Sequence, residues 1–187
     1  MNEPRVEALP AKEYLVIKGY GKLYDAKVTP CPDSDPWINI RRWLQDGTVE
    51  RLKKAAGSET IYMLFCHTCV RNDGEECYIC GYDIACENHN GARPADGFEI
   101  VRLKPCEYAV YEFDCTVAMP DAHEKSDDLF WGEWLKENPY VCAIDDLANC
   151  MGNGYASIEL YTPFKPDANQ YNAEIWYPIT RKQEKPT

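Results

Sequence analysis

Near the C-terminal end, two short runs of apolar and aromatic residues flank a turn-rich stretch. Residues 156–164 and 173–179 read as strands, and the Pro, Asp, Asn and Gln between them read as their connection. Alternation with period 2 places Glu159 and Tyr161 on one face of the first strand. On the second it places Glu174 and Trp176 on one face, with Ile175 and Tyr177 on the other. A carboxylate between aromatic positions on a strand is uncommon, because an ionised carboxylate is costly to bury without a partner. Two readings stay open: both Glu on a wet sheet face, or an aromatic pocket with an acid at its floor.

The upstream pattern repeats. Leu9, Glu13, Tyr14 and Val16 recur as Leu103, Glu107, Tyr108 and Val110, at an offset of 94 residues. The same offset carries Trp37 onto Trp131 and the run 62–66 onto 156–160. In the first part, alternation predicts a strand over 13–23, followed by a Pro- and Asp-rich loop over 29–36. Asp35 as cap, Pro36 at the first helical position and Gly47 as terminator frame a helix. Its stripe is Ile38, Ile40, Trp43 and Leu44, with Trp37 at its start. Thr48 caps a second short helix over 49–56, ended by Gly57. Strands over 61–70 and 77–86 flank an Asn72-Asp73-Gly74 turn. Residues 87–97 lack periodicity and read as a linker.

In the second part, 97–116 gives a strand or a strand pair, and 119–125 a loop. Ser126 caps a helix reaching Asn138, with Asp127 and Asp128 in its first turn. Its apolar side is Leu129, Phe130, Trp131, Trp134 and Leu135. Residues 140–155 look irregular, and the two strands described first complete the unit. The chain therefore reads as α+β. One domain is expected, built of two strand-helix-strand-strand units, roughly 9–86 and 98–180. They would form a mainly antiparallel sheet with helices on one face and a groove along the join, where ligand sites tend to lie.

Composition narrows the function classes. The net charge of −11 argues against direct nucleic-acid binding, which needs clustered Lys and Arg. Residues 1–10 lack the apolar segment of a secretory signal, and no stretch approaches the ~20 apolar residues of a membrane span. A soluble, cytoplasmic protein is expected, with no membrane partner. The ten Cys then read as reduced thiols rather than a disulfide framework. Five Trp, 13 Tyr and five Phe suit an apolar ligand site, as they would a large core.

Several segments together carry a family resemblance. They are Cys77-Tyr-Ile-Cys-Gly-Tyr-Asp83, Gly97-Phe-Glu99, Glu107-Tyr-Ala-Val-Tyr-Glu-Phe113, the helix around Trp131–Leu135, Ser157-Ile-Glu-Leu-Tyr161 and Ala173-Glu-Ile-Trp-Tyr-Pro-Ile179. In order and spacing the chain resembles the GyrI-like small-molecule-binding domain, also the effector-binding part of AraC- and MerR-type regulators. The resemblance covers nearly the whole chain. It implies a duplicated fold with a central groove that takes lipophilic, often cationic, aromatic compounds between aromatic walls. A late-strand acid supplies the counter-charge. Some stand-alone members are similar to hydrolases of reactive toxins that use two Glu on the last two strands. By motif position that pair falls on Glu159 and Glu174, the early Tyr on Tyr78 and the helix Trp on Trp131. The chain departs from the pattern at Cys66-His-Thr-Cys69 and its acidic hairpin, and no fused DNA-binding domain is expected.

The chemistry fits an acid set among rings. Ring faces attract a desolvated cation, and a carboxylate adds a full opposite charge. Glu174 is expected as the central acid. Glu159, Tyr78, Tyr82, Tyr111, Trp131, Trp134, Tyr161 and Trp176 complete the ligand set, and Tyr155 is a further hydrogen-bond donor. If the chain is a hydrolase, Glu159 and Glu174 become general base and general acid. No cofactor is expected. Cys66-x-x-Cys69 and Cys77-x-x-Cys80 resemble a zinc ribbon, and His67, Cys86 and His89 could add ligands. Cysteines three apart on a strand face opposite sides, however, and the interval between the pairs is short. His67 beside Cys66 is weak evidence for a cysteine nucleophile. An acidic protein-interaction module, as the gyrase-inhibitor name of the family implies, is a further alternative.

Overall fold

The computed structural model describes residues 3–25, 36–72, 75–93, 97–115, 125–143, 155–165, 168 and 170–182. Of residues 20–25, 36–37, 66–72, 75–81 and 115 it describes the backbone only. The expected Asp35 cap, the 29–35 loop and the Asp73-Gly74 turn fall outside the described residues. So do the side chains of Tyr78, His67 and the four cysteines of the ribbon-like motif.

Among the described residues, ten strands form one open, antiparallel sheet. They are β1 (Arg5–Leu9), β2 (Lys12–Ile17), β3 (Tyr20–Asp25), β4 (Tyr62–Asn72), β5 (Glu75–Glu87), β6 (Glu99–Leu103), β7 (Cys106–Cys115), β8 (Tyr140–Cys142), β9 (Ser157–Thr162) and β10 (Tyr171–Arg181). Three helices accompany them: α1 (Pro36–Gln45), α2 (Thr48–Ala56) and α3, spanning 125–137. The α+β class and the antiparallel sheet expected from the pattern are both present.

The strand order is β1-β7-β10-β9-β4-β5-β2-β6, with β3 beside β5 and β8 beside β10. Elements recur at the spacing of the identities. β1 begins at residue 5 and β6 at 99, β2 at 12 and β7 at 106, an offset of 94 in both cases. The order reads alike from either end, with β9 and β4 at the centre. The first strand of each part is exchanged: β1 pairs with β7, and β6 with β2. Each part thus closes the edge of the other, a pairing that period-2 patterning alone cannot announce.

The structure differs from the pattern in several places: β1 was not expected, and β8 lies in a stretch that reads as irregular. The single strand expected over 13–23 is broken at Lys18-Gly19. A Cβ on Gly19 would stand 2.0 Å from the Tyr82 carbonyl oxygen, so only glycine allows this backbone approach. Ser126 lies inside α3 rather than at its cap. It is fully buried, and its hydroxyl bonds that of Tyr177. The middle of α3, Asp128–Trp134, is π-helical, a wide form uncommon in proteins and frequent at functional sites. Gly47 and Gly57 sit at φ +77° and +72° and end α1 and α2 as expected.

The core has two parts. The larger holds Leu15, Met63, Ile84 and Ile175 from the sheet with Ile40, Trp43, Leu52 and Phe130 from all three helices. The smaller holds Tyr14, Val16, Leu64, Tyr108, Val110 and Ile158, and no buried helix residue among those described. The helices therefore cover one sheet face. α1 and α2 pack on β5 and β2, while Phe130 of α3 stacks on Tyr177 of β10 at 4.2 Å. The central strands β4 and β9 run between these two groups. Among the described residues, no helix is long and apolar enough to cross a membrane.

Candidate functional site

Glu159 stands on the helix-covered face at the centre of the sheet. It lies opposite Ile175 on β10 and Met63 on β4, and both are core residues of that face. Its side chain has no solvent exposure. Strand alternation puts Ser157 and Tyr161 on the same face, and both donate to it. The Tyr161 hydroxyl reaches Oε2 at 2.6 Å and the Ser157 hydroxyl Oε1 at 3.3 Å. Burial, then the charge of Glu159, pushes the Tyr161 phenol well above its ordinary range, so it remains a donor.

Aromatic rings surround this acid. Tyr82 on β5 is buried, and Phe65 on β4 lies 5.0 Å from it. Tyr171 packs edge-on against Tyr161 at 5.6 Å. Tyr177 follows Ile175 on the same face of β10. Its hydroxyl has one proton, given to Asp127 Oδ1 at 2.6 Å, so Ser126 donates to it at 2.6 Å. Burial first, then Asp127, raises the Tyr177 phenol. This chain of hydroxyls pins the start of α3 above the site. Phe130 faces the sheet, and Leu129 and Glu133 lie on the outer flank of α3. Trp131, 39% exposed, lies edge-on to Phe130 at 4.9 Å.

The expected site residues divide into three groups. Glu159, Tyr82 and Tyr161 come together around the central strands, while Trp131 packs edge-on against Phe130 of its own helix at 4.9 Å. Tyr111 and Trp134 lie elsewhere, under the outer side of α3: Tyr111 borders a recess there, and Trp134 stacks on Tyr140 at 5.5 Å. Glu174 and Trp176 occupy the opposite face. There Trp176 packs in the smaller cluster against Tyr108, and Glu174 accepts a hydrogen bond from Arg5 at 3.0 Å.

Glu174 is therefore not the central acid of a helix-side groove, and Glu159 and Glu174 do not form a pair. The register opposes Glu174 to Leu160 and Ile175 to Glu159. Adjacent strands in register share a face at each paired position, so the two carboxylates point to opposite sides of the sheet. A general acid and base on one substrate must share a side, which this pair does not.

Residues outside the expected set also contribute. Ser157 could have been found as the same-face neighbour two positions before Glu159. Tyr177 was visible as a core-facing ring, but nothing in the sequence ties it to Ser126 and Asp127, about fifty positions earlier. Among the described residues, no cluster of three or more His, Cys, Asp or Glu is arranged to hold a metal. β4 and β5 pair through the motif region with Cys66 opposite Gly81 and Cys69 opposite Tyr78.

No protein-family model matches the chain. No curated protein matches it either. Solved structures do. The structure of SAV2435 bound to tetraphenylphosphonium superposes with a TM-score of 0.57 at 17% identity, covering 95% of this chain and 94% of that one. A protein described as a bacterial transcription regulation protein, from Staphylococcus aureus MU50, gives 0.58 at 16% identity over 96% and 99%. The EcmrR C-terminal domain gives 0.55 at 10% identity over 97% and 99%. At these identities the likeness is one of architecture, and the chain has the fold expected from its resemblance to the GyrI-like effector-binding domain.

Proposed function

We propose that this protein binds lipophilic cations carrying aromatic groups, in the groove between α1/α2 and α3, with Glu159 as the acid at its floor. The observation that carries this reading is the position of Glu159: a carboxylate with no exposure at the middle of the sheet, held by two hydroxyls and ringed by Tyr82, Phe65, Tyr161 and Tyr177. Burying an acid is costly, and acids placed this way cluster at functional sites. The similar fold of SAV2435, solved with tetraphenylphosphonium, supports the ligand class. Such a cation has no hydrogen-bond donors. Its recognition rests on full charge opposition and on ring faces, each worth about 0.5–2 kcal/mol to a cation. Because Glu159 is fully covered, a ligand reaches it only when groups above it move aside, which slows association below the usual range.

The test follows tryptophan fluorescence while tetraphenylphosphonium is titrated into the wild type, Glu159→Gln and Glu174→Gln. Saturable quenching is expected in the wild type. Affinity should fall about tenfold or more in Glu159→Gln, as for removal of a charged partner, and stay unchanged in Glu174→Gln. Equal affinity in Glu159→Gln, or no saturable binding in the wild type, would overturn the assignment. Recovering the ligand and weighing it separates binding from turnover.

A further inference from the structure

A second polar feature lies away from the Glu159 groove, on the outer flank of α3. There a small, solvent-open recess of about 40 Å³ is bordered by Glu133 and Glu137 of α3, Glu3 ahead of β1, the apolar side chain of Leu129 and the ring of Trp134. Tyr111 of β7 completes the wall. β7 is separated from β9 by β10, so the recess and the groove are distinct places in the fold.

Tyr111 is the informative residue. It is 1% exposed, and its hydroxyl oxygen is buried, yet it has no hydrogen-bond partner. Buried hydroxyls are almost always paired, and one that is not requires an explanation. Tyr161 and Tyr177, on the same sheet face, both have partners. Burial, then the charge of Glu133, pushes the Tyr111 phenol up to about 12. At neutral pH the hydroxyl therefore keeps its proton and has free lone pairs. What is missing is a donor placed between it and the carboxylates.

We propose that this recess is a second binding site, for the head group of a small primary alkylammonium. An ammonium has three N–H donors and no acceptor. One donor meets the Tyr111 oxygen, and the others meet carboxylate oxygens of Glu133 and Glu137. The short alkyl chain lies against Leu129, and the Trp134 ring adds attraction for the cation. Among the described residues, three carboxylates and no Lys or Arg border the recess, so a cation is the matching charge. The proposal does not depend on the groove reading.

The experiment titrates the intact protein with 1,4-diaminobutane by calorimetry, with 1-butanol as the neutral control. Saturable binding of the diamine, weakened at least threefold by Tyr111→Phe and about tenfold by Glu133→Gln, is the expected result. Glu159→Gln should leave it unchanged. Thermal unfolding gives a second readout: without amine, Tyr111→Phe unfolds at or above the wild-type temperature, because it deletes an unpaired hydroxyl. The amine should then raise the wild-type midpoint more than that of the variant. No saturable heat, equal binding by Tyr111→Phe and wild type, or equal binding of butanol and the diamine would each overturn the proposal.

Discussion

Two fully buried carboxylates sit on opposite faces of this sheet, in unlike company. Asp83, 2% exposed, takes hydrogen bonds from Lys18 Nζ at 2.8 Å, the Tyr155 hydroxyl at 2.5 Å and the Gly19 amide at 3.0 Å. Lys18 also donates to the Tyr155 hydroxyl at 3.0 Å. Glu159 takes its hydrogen bonds from the Ser157 and Tyr161 hydroxyls, within a ring of aromatic side chains. Asp83 with Lys18 is a neutral unit that fastens the break between β2 and β3. Glu159 is an acid presented to the helix side. The lesson is that burial alone does not mark a site. The printed partners differ in kind: an ammonium and a backbone amide on Asp83, hydroxyls on Glu159.

The sharpest way to break the comparison is to delete each acid. Asp83→Ala takes the buried carboxylate from Lys18 and the Tyr155 hydroxyl and leaves the Gly19 amide without this acceptor. Removing one partner of such a pair costs about 3 kcal/mol or more. Urea denaturation should show a loss of that size. A loss below that of Glu159→Gln would mean that Asp83 is not the structural acid of the two, and the contrast would fail.

Much of this arrangement was legible beforehand, and the part that was not has a physical cause. Helix ends at Gly47 and Gly57, most of the longer strands and the repeat spacing follow from local rules that act within a few residues, whereas the short edge strands β1 and β8 carry too little pattern to announce themselves. The face of each strand residue was also correct within its own strand: Glu159 does share a face with Tyr161, and Glu174 with Trp176. What the chain does not carry is the register between strands. One residue of slip reverses the relation of two faces, and here the pairing of Ile175 with Glu159 sends Glu174 to the other side. The same gap hid Asp83, whose partners Lys18 and Tyr155 are 65 and 72 positions away. Tyr111 and Trp134 were placed with the groove because aromatic composition does not tell one flank of a helix from the other.

A second experiment uses alkaline pH, and its effect per group is smaller. The phenols of Tyr161 and Tyr177 on the helix face, and of Tyr14 and Tyr108 on the other, all lie above their ordinary range, burial being the first cause in each. The Cys86 thiol is likewise pushed up to about 12 by burial. A group whose folded value is raised contributes its stability fully below the unfolded value. That contribution is lost as the pH rises towards the folded value. Stability should therefore hold up to the unfolded thiol and phenol values, near pH 8.5–10, and then fall by about 1.4 kcal/mol per pH unit for each tyrosine that must stay protonated. Tyr161→Phe and Tyr108→Phe test one face each, and each should make the decline shallower by one group. If either variant keeps the wild-type slope, that phenol is not shielded as its burial requires.

The smallest effect belongs to Glu174, and its smallness is what makes it useful. Its side chain is 31% exposed and shares Arg5 with Glu7 and Glu112. The Arg5 guanidinium also lies over the Trp176 ring at 5.3 Å. Arg5 thus joins β1 to the strands beside it, at a surface where water screens the charges. Exposed pairs of this kind contribute about 0–1 kcal/mol, so Glu174→Gln should shift the urea midpoint slightly and less still in high salt. Because Glu112 lies directly opposite Glu174 across the strands, removing one negative charge also relieves a like-charge contact, which offsets part of the lost attraction. A loss above about 2 kcal/mol, independent of salt, would show Glu174 to be a buried structural acid like Asp83. A loss of tetraphenylphosphonium binding in Glu174→Gln, with Glu159→Gln unaffected, would move the ligand to the face without helices.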